Sequence, residues 1–153
     1  MVLSFLFQEV LFMKRTKIKE LFRNTSEFAS KDVTVCAWVR TNRSQAQFGF
    51  LNINDGSFFE NLQVVYEQGI ENFDDISKIR VGMSVKVVGT VVLTPENQQP
   101  FEVKAKSVEV LGDWPASYPI QPKRHTREFL RTVAHLRPRT NLFSAVFRVR
   151  SVA

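Results

Sequence analysis

The residues best placed to do chemistry lie in two short alternating stretches. In Phe48-Gly49-Phe50-Leu51-Asn52-Ile53-Asn54, Leu51 and Ile53 share one face, and Phe48, Phe50, Asn52 and Asn54 share the other. In Asn61-Leu62-Gln63-Val64-Val65-Tyr66, Leu62 and Val64 read as core and Gln63 points away from them. Two aromatic rings and several amides on one surface, flanked by Arg40 and Arg43, could hold an unstacked nucleobase, with a ring against its face and an amide at its edge. The same rings would also suit packing under a loop or against another domain, and the spacing alone leaves both open.

Other chemistries find no support. The sequence has no glycine-rich phosphate loop, no serine nucleophile elbow and no HExxH pair. His125 and His135 stand ten apart with no second class of ligand beside them, so no metal site is expected. Cys36, the single cysteine, alternates with valines and reads as a structural thiol; alone it allows no disulfide within the chain. No catalytic residue is assigned.

The elements needed to position these side chains are strands. Val33–Arg40 is rich in β-branched residues, Phe48–Asn54 alternates, and Asn54-Asp55-Gly56-Ser57 has turn chemistry. Asn61–Tyr66 is a third strand. Between Glu71 and Arg80, Phe73, Ile76 and Ile79 recur at helical spacing, with Asp74 and Asp75 near the start and Gly82 beyond the end. Ser84–Leu93 and Phe101–Leu111 are two more strands around a polar loop, the last with an irregularity near Ser107. Three strands, a helix and two strands fit a mainly β, five-stranded OB-fold barrel with its helix between the third and fourth strands.

Residues 14–111 form this expected domain. Residues 112–139, opening with three prolines in eleven residues, read as a hinge or linker containing a short helix at Glu128–Val133. At 140–153, Thr140 or Asn141 could cap a helix carrying the apolar stripe Leu142, Phe143, Val146, Phe147 and Val149. Residues 1–13, apolar and without a basic residue, read as an extension ahead of a more natural start at Met13, or else as an apolar docking segment.

Composition agrees with a folded, soluble domain: 153 residues, 44% apolar and 24% charged, without a membrane-length apolar run. Fourteen of the residues are Phe, so rings for packing or stacking abound. The net charge of +6 is segregated, with basic residues over 14–43 and 123–150 and an acidic excess over 55–113. Basic ends around an acidic middle suggest a polyanionic partner bound on a particular face.

Val33-Thr34-Val35-Cys36-Ala37-Trp38-Val39-Arg40, Phe48-Gly49-Phe50-Leu51, Asn54-Asp55-Gly56-Ser57 and Leu62-Gln63-Val64-Val65 resemble the N-terminal anticodon-binding domain of class IIb aminoacyl-tRNA synthetases. Tyr118-Pro119-Ile120-Gln121-Pro122-Lys123-Arg124-His125 and His135-Leu136-Arg137-Pro138-Arg139-Thr140-Asn141 are similar to the asparaginyl branch. The resemblance implies that Phe50 stacks on the middle anticodon base, a uridine for asparagine, and that Gln63 hydrogen-bonds it. It also places Arg43 near the anticodon. Thr41 stands where aspartyl relatives often have a second arginine, a departure from their pattern.

The family joins asparagine to its tRNA with ATP and magnesium, in a separate catalytic domain of a cytoplasmic homodimer. Residues 140–153 match only the opening of that domain's first motif, a helix of the dimer interface, and the second and third motifs are absent. The resemblance thus implies a tRNA-binding part with no catalytic core, no cofactor of its own and no membrane association. Two other functions fit the sequence less specifically. One is a free-standing OB-fold that binds tRNA or single strands, or the equivalent domain of an aspartyl or lysyl enzyme. The other is a structural domain whose basic tail docks a partner protein.

Overall fold

The computed structural model describes residues 15–97, 99–115, 117–121 and 123–153. The reading of residues 1–13 lies outside them. Five strands, β1 (Asp32–Ser44), β2 (Phe48–Asn54), β3 (Leu62–Glu67), β4 (Ser84–Leu93) and β5 (Phe101–Gly112), close into a barrel in the order β1-β2-β3-β5-β4. The mainly β, five-stranded fold expected from the sequence is the one observed. Its helix between β3 and β4 is short, Phe73–Ser77, and Ile76 is its buried residue.

Alternation drives the core. Val33, Val35, Ala37 and Val39 of β1 point inward, as do Leu51 and Ile53 of β2, Leu62 and Val64 of β3, and Val85 and Val87 of β4. Burying each such side chain stabilises the fold by about 1.5–3 kcal/mol relative to leaving it in water. Closure depends on β3 and β5, which pair in parallel through Val64 with Val103 and Val65 with Lys104. The irregularity expected near Ser107 is a bulge: Val88 faces Ser107 and Gly89 faces Ala105, leaving Lys106 as the extra residue.

One end of the barrel is plugged by elements that the sequence reading left without structure. Two short helices, α1 (Ile18–Arg23) and α2 (Thr25–Phe28), precede β1. Ile18 and Leu21 are fully buried, and the Phe22 ring stacks on Phe58 at 4.7 Å and meets Phe101 edge-on at 4.9 Å. The residue preceding α1 is Lys17, not one of the usual capping residues. The missing acceptors come instead from the turn after β2, where Asp55 Oδ2 accepts from Ile18 N at 3.0 Å and Ser57 Oγ from Lys19 N at 3.0 Å. A cap supplied from 37 residues away leaves no local signature.

Calling the helix between β3 and β4 α3, the chain after β5 forms α4 (Arg127–Thr132), a 3-10 turn at Arg137–Arg139 and α5 (Asn141–Val152). Thr126 caps α4, its hydroxyl accepting from Phe129 N at 3.2 Å. The hinge region has a small core of its own, in which Tyr118, Ile120, Leu130 and Leu136 are buried with Val81 and Trp114 against them. Gly82, at φ +91°, joins this core to the barrel, because a Cβ there would lie 2.5 Å from the Tyr118 ring. Thr140 precedes α5 as expected, but its hydroxyl donates back to Arg137 O at 2.7 Å rather than capping. No residue of α5 is buried.

Leu21→Ala should destabilise the domain by about 2–5 kcal/mol, the cost of emptying a fully buried leucine site. Urea denaturation checks this, with Phe59→Ala, at an exposed ring, expected to change the midpoint much less.

Candidate nucleic-acid interface

The outer faces of β1, β2 and β3 carry two cross-strand rows. In the first, Arg43 pairs with Phe50, Phe50 with Val65, and Val65 with Lys104. In the second, Thr41 pairs with Asn52 and Asn52 with Gln63. Phe48 adds its ring beside Phe50, centroids 5.4 Å apart and nearly perpendicular. Directly opposed residues on antiparallel strands have Cβ atoms about 4.5–5.5 Å apart. Arg43 and Phe50 are therefore cross-strand neighbours, and Gln63 stands one row away.

The polar atoms of the second row are held in specific orientations. Asn52 Nδ2 donates to Thr41 Oγ1 at 3.0 Å. Gln63 Nε2 donates to Glu102 Oε2 at 3.2 Å, and the Gln63 backbone N–H donates to Gln99 Oε1 at 3.3 Å. With its amide nitrogen engaged, Gln63 presents Oε1 as an acceptor. The loop carrying Gln99 is tied down in turn, by Gln99 Nε2 donating to Asn61 O at 2.7 Å and by Thr94 Oγ1 donating to Gln99 O at 3.0 Å. Asn52, Gln63, Gln99 and Glu102, with Arg43 and Asn97, line an open polar groove of about 790 Å³.

The inward-facing residue between Thr41 and Arg43 fixes this part of β1. Asn42 Nδ2 donates to Ile76 O at 2.8 Å and to Ile79 O at 3.1 Å, while its Oδ1 accepts from the Tyr66 hydroxyl at 2.9 Å. A buried tyrosine hydroxyl and the carbonyls around α3 are satisfied by one amide.

Of the five residues singled out in the sequence, four share this surface: Phe48, Phe50, Gln63 and Arg43. Arg43 is exposed and enters no ion pair among the described residues. Arg40 is placed elsewhere. The β1–β2 register shifts between Val39 and Thr41, so Arg40 is the residue of a bulge. Its guanidinium donates to the Arg139 carbonyl and to Asn141 Oδ1, away from Phe50. The expectation that Arg40 and Arg43 flank the platform together is corrected to Arg43 alone.

The sequence reading missed Glu102 and Gln99 as parts of the groove. For Glu102 a signal existed, since it alternates between the buried Phe101 and Val103 and so must face outward. That it meets Gln63 follows only from the parallel β3–β5 pairing, for which the sequence has no sign.

The OB-fold barrel that carries this surface matches a known family. Residues 33–111 match the family described as "OB-fold nucleic acid binding domain". The chain belongs to that family. Its relatives include asparagine–tRNA ligases. The one from Acholeplasma laidlawii is 58% identical over 137 residues, covering 89% of this chain and 30% of that protein. The one from Alkaliphilus oremlandii is 52% identical over 141 residues, covering 92% of this chain and 30% of that protein. Among solved structures, asparaginyl-tRNA synthetase from Pyrococcus horikoshii aligns with a TM-score of 0.78 at 26% identity, over 92% of this chain and 33% of that one. The OB-fold chain thus spans about a third of the length of the relatives it matches.

Asn42→Ala should cost about 1–3 kcal/mol, because it leaves the Tyr66 hydroxyl and two or more carbonyls without their partner. Chemical denaturation measures the loss, and Tyr66→Phe in the Asn42→Ala background should recover part of it.

Proposed function

We propose that this OB-fold domain binds the anticodon loop of a tRNA and reads a central uridine, as the anticodon-binding part of an asparagine–tRNA ligase. The observation that carries the reading is the paired geometry of the two rows. Phe50 lies directly across from an arginine that enters no ion pair among the described residues, with a fixed amide acceptor one row away. A base splayed out of a loop stacks on the Phe50 ring, which recognises any base face. Selection comes from the edge. Uracil offers N3–H between two carbonyl oxygens, so Gln63 Oε1 accepts from N3–H while Arg43 donates to a carbonyl. Cytosine puts an acceptor at N3, opposite the Gln63 acceptor. Phe48 braces the Phe50 ring from its edge.

The longer relatives' activity, ATP-dependent attachment of asparagine to tRNA in the cytoplasm by a homodimer, is the context proposed for this domain. ATP and magnesium would supply the activation of the amino acid there. The described residues do not offer a set fitted to the metal, since no three His, Cys, Asp or Glu gather among them. No step is assigned to either group. No helix among the described residues is long and apolar enough to cross a membrane.

Phe50→Ala should weaken binding to an anticodon stem-loop with central uridine by roughly 1–3 kcal/mol, about 5- to 150-fold in Kd. Fluorescence anisotropy with loops carrying uridine, cytidine or guanosine at that position tests the readout. Equal affinity for uridine and cytidine loops would remove the edge-recognition claim.

Raising salt from about 50 to about 200 mM should weaken the same complex, because arginine and lysine contacts release counterions from phosphate. A slope near zero in a plot of log Kd against log salt would count against a role for the basic segments.

A further inference from the structure

Helix α5 presents a mechanical problem. It runs for 12 residues, buries none of them, and leaves Leu142, Val146, Phe147 and Val149 exposed. Its apolar contact is with the hinge, through Phe143, which packs against the small core of Tyr118, Ile120, Leu130 and Leu136, with the Arg137 guanidinium 4.9 Å from its ring centroid. To the barrel strands and their turns it is tied by polar contacts at two points. At its start, Arg40 Nη2 donates to Asn141 Oδ1 at 3.0 Å; two turns on, Arg148 Nη2 donates to Gly56 O at 2.6 Å.

The first of these points is elaborate. Arg40 projects from the β1 bulge, so it leaves the line of the strand. One of its Nη atoms donates to the Arg139 carbonyl and the other to Asn141. The Arg139 side chain faces two indoles, its Cζ 5.1 Å from the Trp38 centroid and 5.4 Å from that of Trp114, and its Nη1 donates to the Tyr118 hydroxyl at 3.3 Å. Two guanidiniums thus share one half-buried junction, and neither has a carboxylate partner among the described residues. Their charge is met by carbonyl and amide oxygens and by ring faces.

Burial, reinforced by the neighbouring Arg139 charge, pulls the Arg40 pKa below the ordinary arginine value, with Tyr118 opposing. An arginine serving a phosphate would stand in the groove with its Nη atoms free. Here both are committed, and the position carries an electrostatic cost. Geometry is what the arrangement secures.

We propose that Arg40 is a positioning residue: with Arg139 and Asn141 it forms a clamp that locks the hinge onto the barrel and sets the direction in which α5 leaves it. The bulge matters because it releases Arg40 from the cross-strand row that it would occupy in a regular strand. Arginine is required because a single planar fork spans the Arg139 carbonyl and the Asn141 amide at once. Trp38, at the junction where β1 passes from pairing with β4 to pairing with β2, gives Arg139 its seat on the barrel side. Trp114, two residues beyond β5, gives it one on the hinge side. The clamp does not depend on the RNA reading. It holds whatever the groove binds.

Amide hydrogen exchange on the full chain tests it, with Arg40→Ala, Arg40→Lys, Asn141→Ala and the Arg40→Ala/Asn141→Ala double variant. Arg40→Ala should speed exchange over residues 137–148 by about ten- to a hundredfold, the loss expected from charge-assisted hydrogen bonds, while β4 amides keep their protection. Arg40→Lys should recover little of it, since an ammonium does not bridge both acceptors. The double variant should exchange no faster at residues 141–148 than Arg40→Ala alone. Should Arg40→Ala loosen the barrel as well, Asn141→Ala decides, because it removes one acceptor at a helical position that favours alanine.

Unchanged exchange over 137–148 in both single variants overturns the proposal. So does an Arg40→Ala protein that keeps its exchange pattern yet loses stem-loop affinity as Phe50→Ala does, since Arg40 would then be an RNA contact. If Phe50→Ala leaves stem-loop binding intact, the anticodon reading fails and the clamp is judged on exchange alone.

Discussion

Much of this structure depends on a single strand changing partners. β1 pairs with β4 from Asp32 to Trp38 and with β2 from Trp38 to Ser44, so one continuous segment of 13 residues belongs to both sides of the barrel. The change is made at Trp38, and two residues on, at Arg40, an extra residue bends the strand and increases its twist. Up to Val39 the odd-numbered residues point inward. Strict alternation beyond it would send Arg43 into the core and Asn42 out to solvent. The extra residue reverses that phase, so Asn42 turns in to meet Tyr66 and Arg43 turns out beside Phe50. The buried amide of Asn42, the cation on the platform and the arginine at the hinge thus all follow from the same insertion.

The distribution of ion pairs gives the charge segregation a structural meaning. All five basic residues of the acidic middle segment are paired: Lys78 with Asp75, Arg80 with Asp113, Lys86 with Glu109, Lys104 with Glu67 and Lys106 with Asp32. No arginine or lysine of the two basic segments appears in an ion pair among the described residues. The pairs are exposed, and such contacts contribute at most about 1 kcal/mol each to stability. Their larger effect is on the surface field. They consume cations of the middle segment and leave Arg43 at the groove and the exposed Lys123, Arg124, Arg127 and Arg131 of the hinge available to a polyanion, as would be needed to draw phosphate to one side of the barrel.

What was legible in the sequence follows the range of the forces involved. Period-two burial is local, so Leu51, Ile53, Leu62 and Val64 could be assigned inward and Phe50 and Gln63 outward without knowing the topology. Turn chemistry at Asn54–Ser57 was also legible, but only as a turn. Its second task, capping α1 through Asp55 and Ser57, joins residues far apart in sequence, and α1 itself has too few turns and too ordinary a first residue to announce itself. Arg40 was misplaced for a related reason. A basic residue at the end of a β-branched run resembles a flank of the platform, and only the bulge, visible in pairing register, takes it to Arg139. Glu102 reaches Gln63 through a parallel pairing between strands separated by β4, the kind of contact that no local pattern encodes.

Arg40 and Arg43, three positions apart on one strand, show how far residue type falls short of role. Both are cations at the edge of the same sheet surface, and composition or spacing treats them alike. Burial separates them. Arg43 keeps its hydration and has no partner among the described residues, so an incoming phosphate or base carbonyl can gain its whole interaction. Arg40 has already exchanged water for two oxygens of the hinge, so an anion could recruit it only by breaking contacts that orient α5. That difference makes the first a reader and the second a joint. It also ties the barrel's recognition face to the exit of the chain through a single residue, Thr41, whose hydroxyl holds Asn52 on one side while its backbone continues into the bulge on the other.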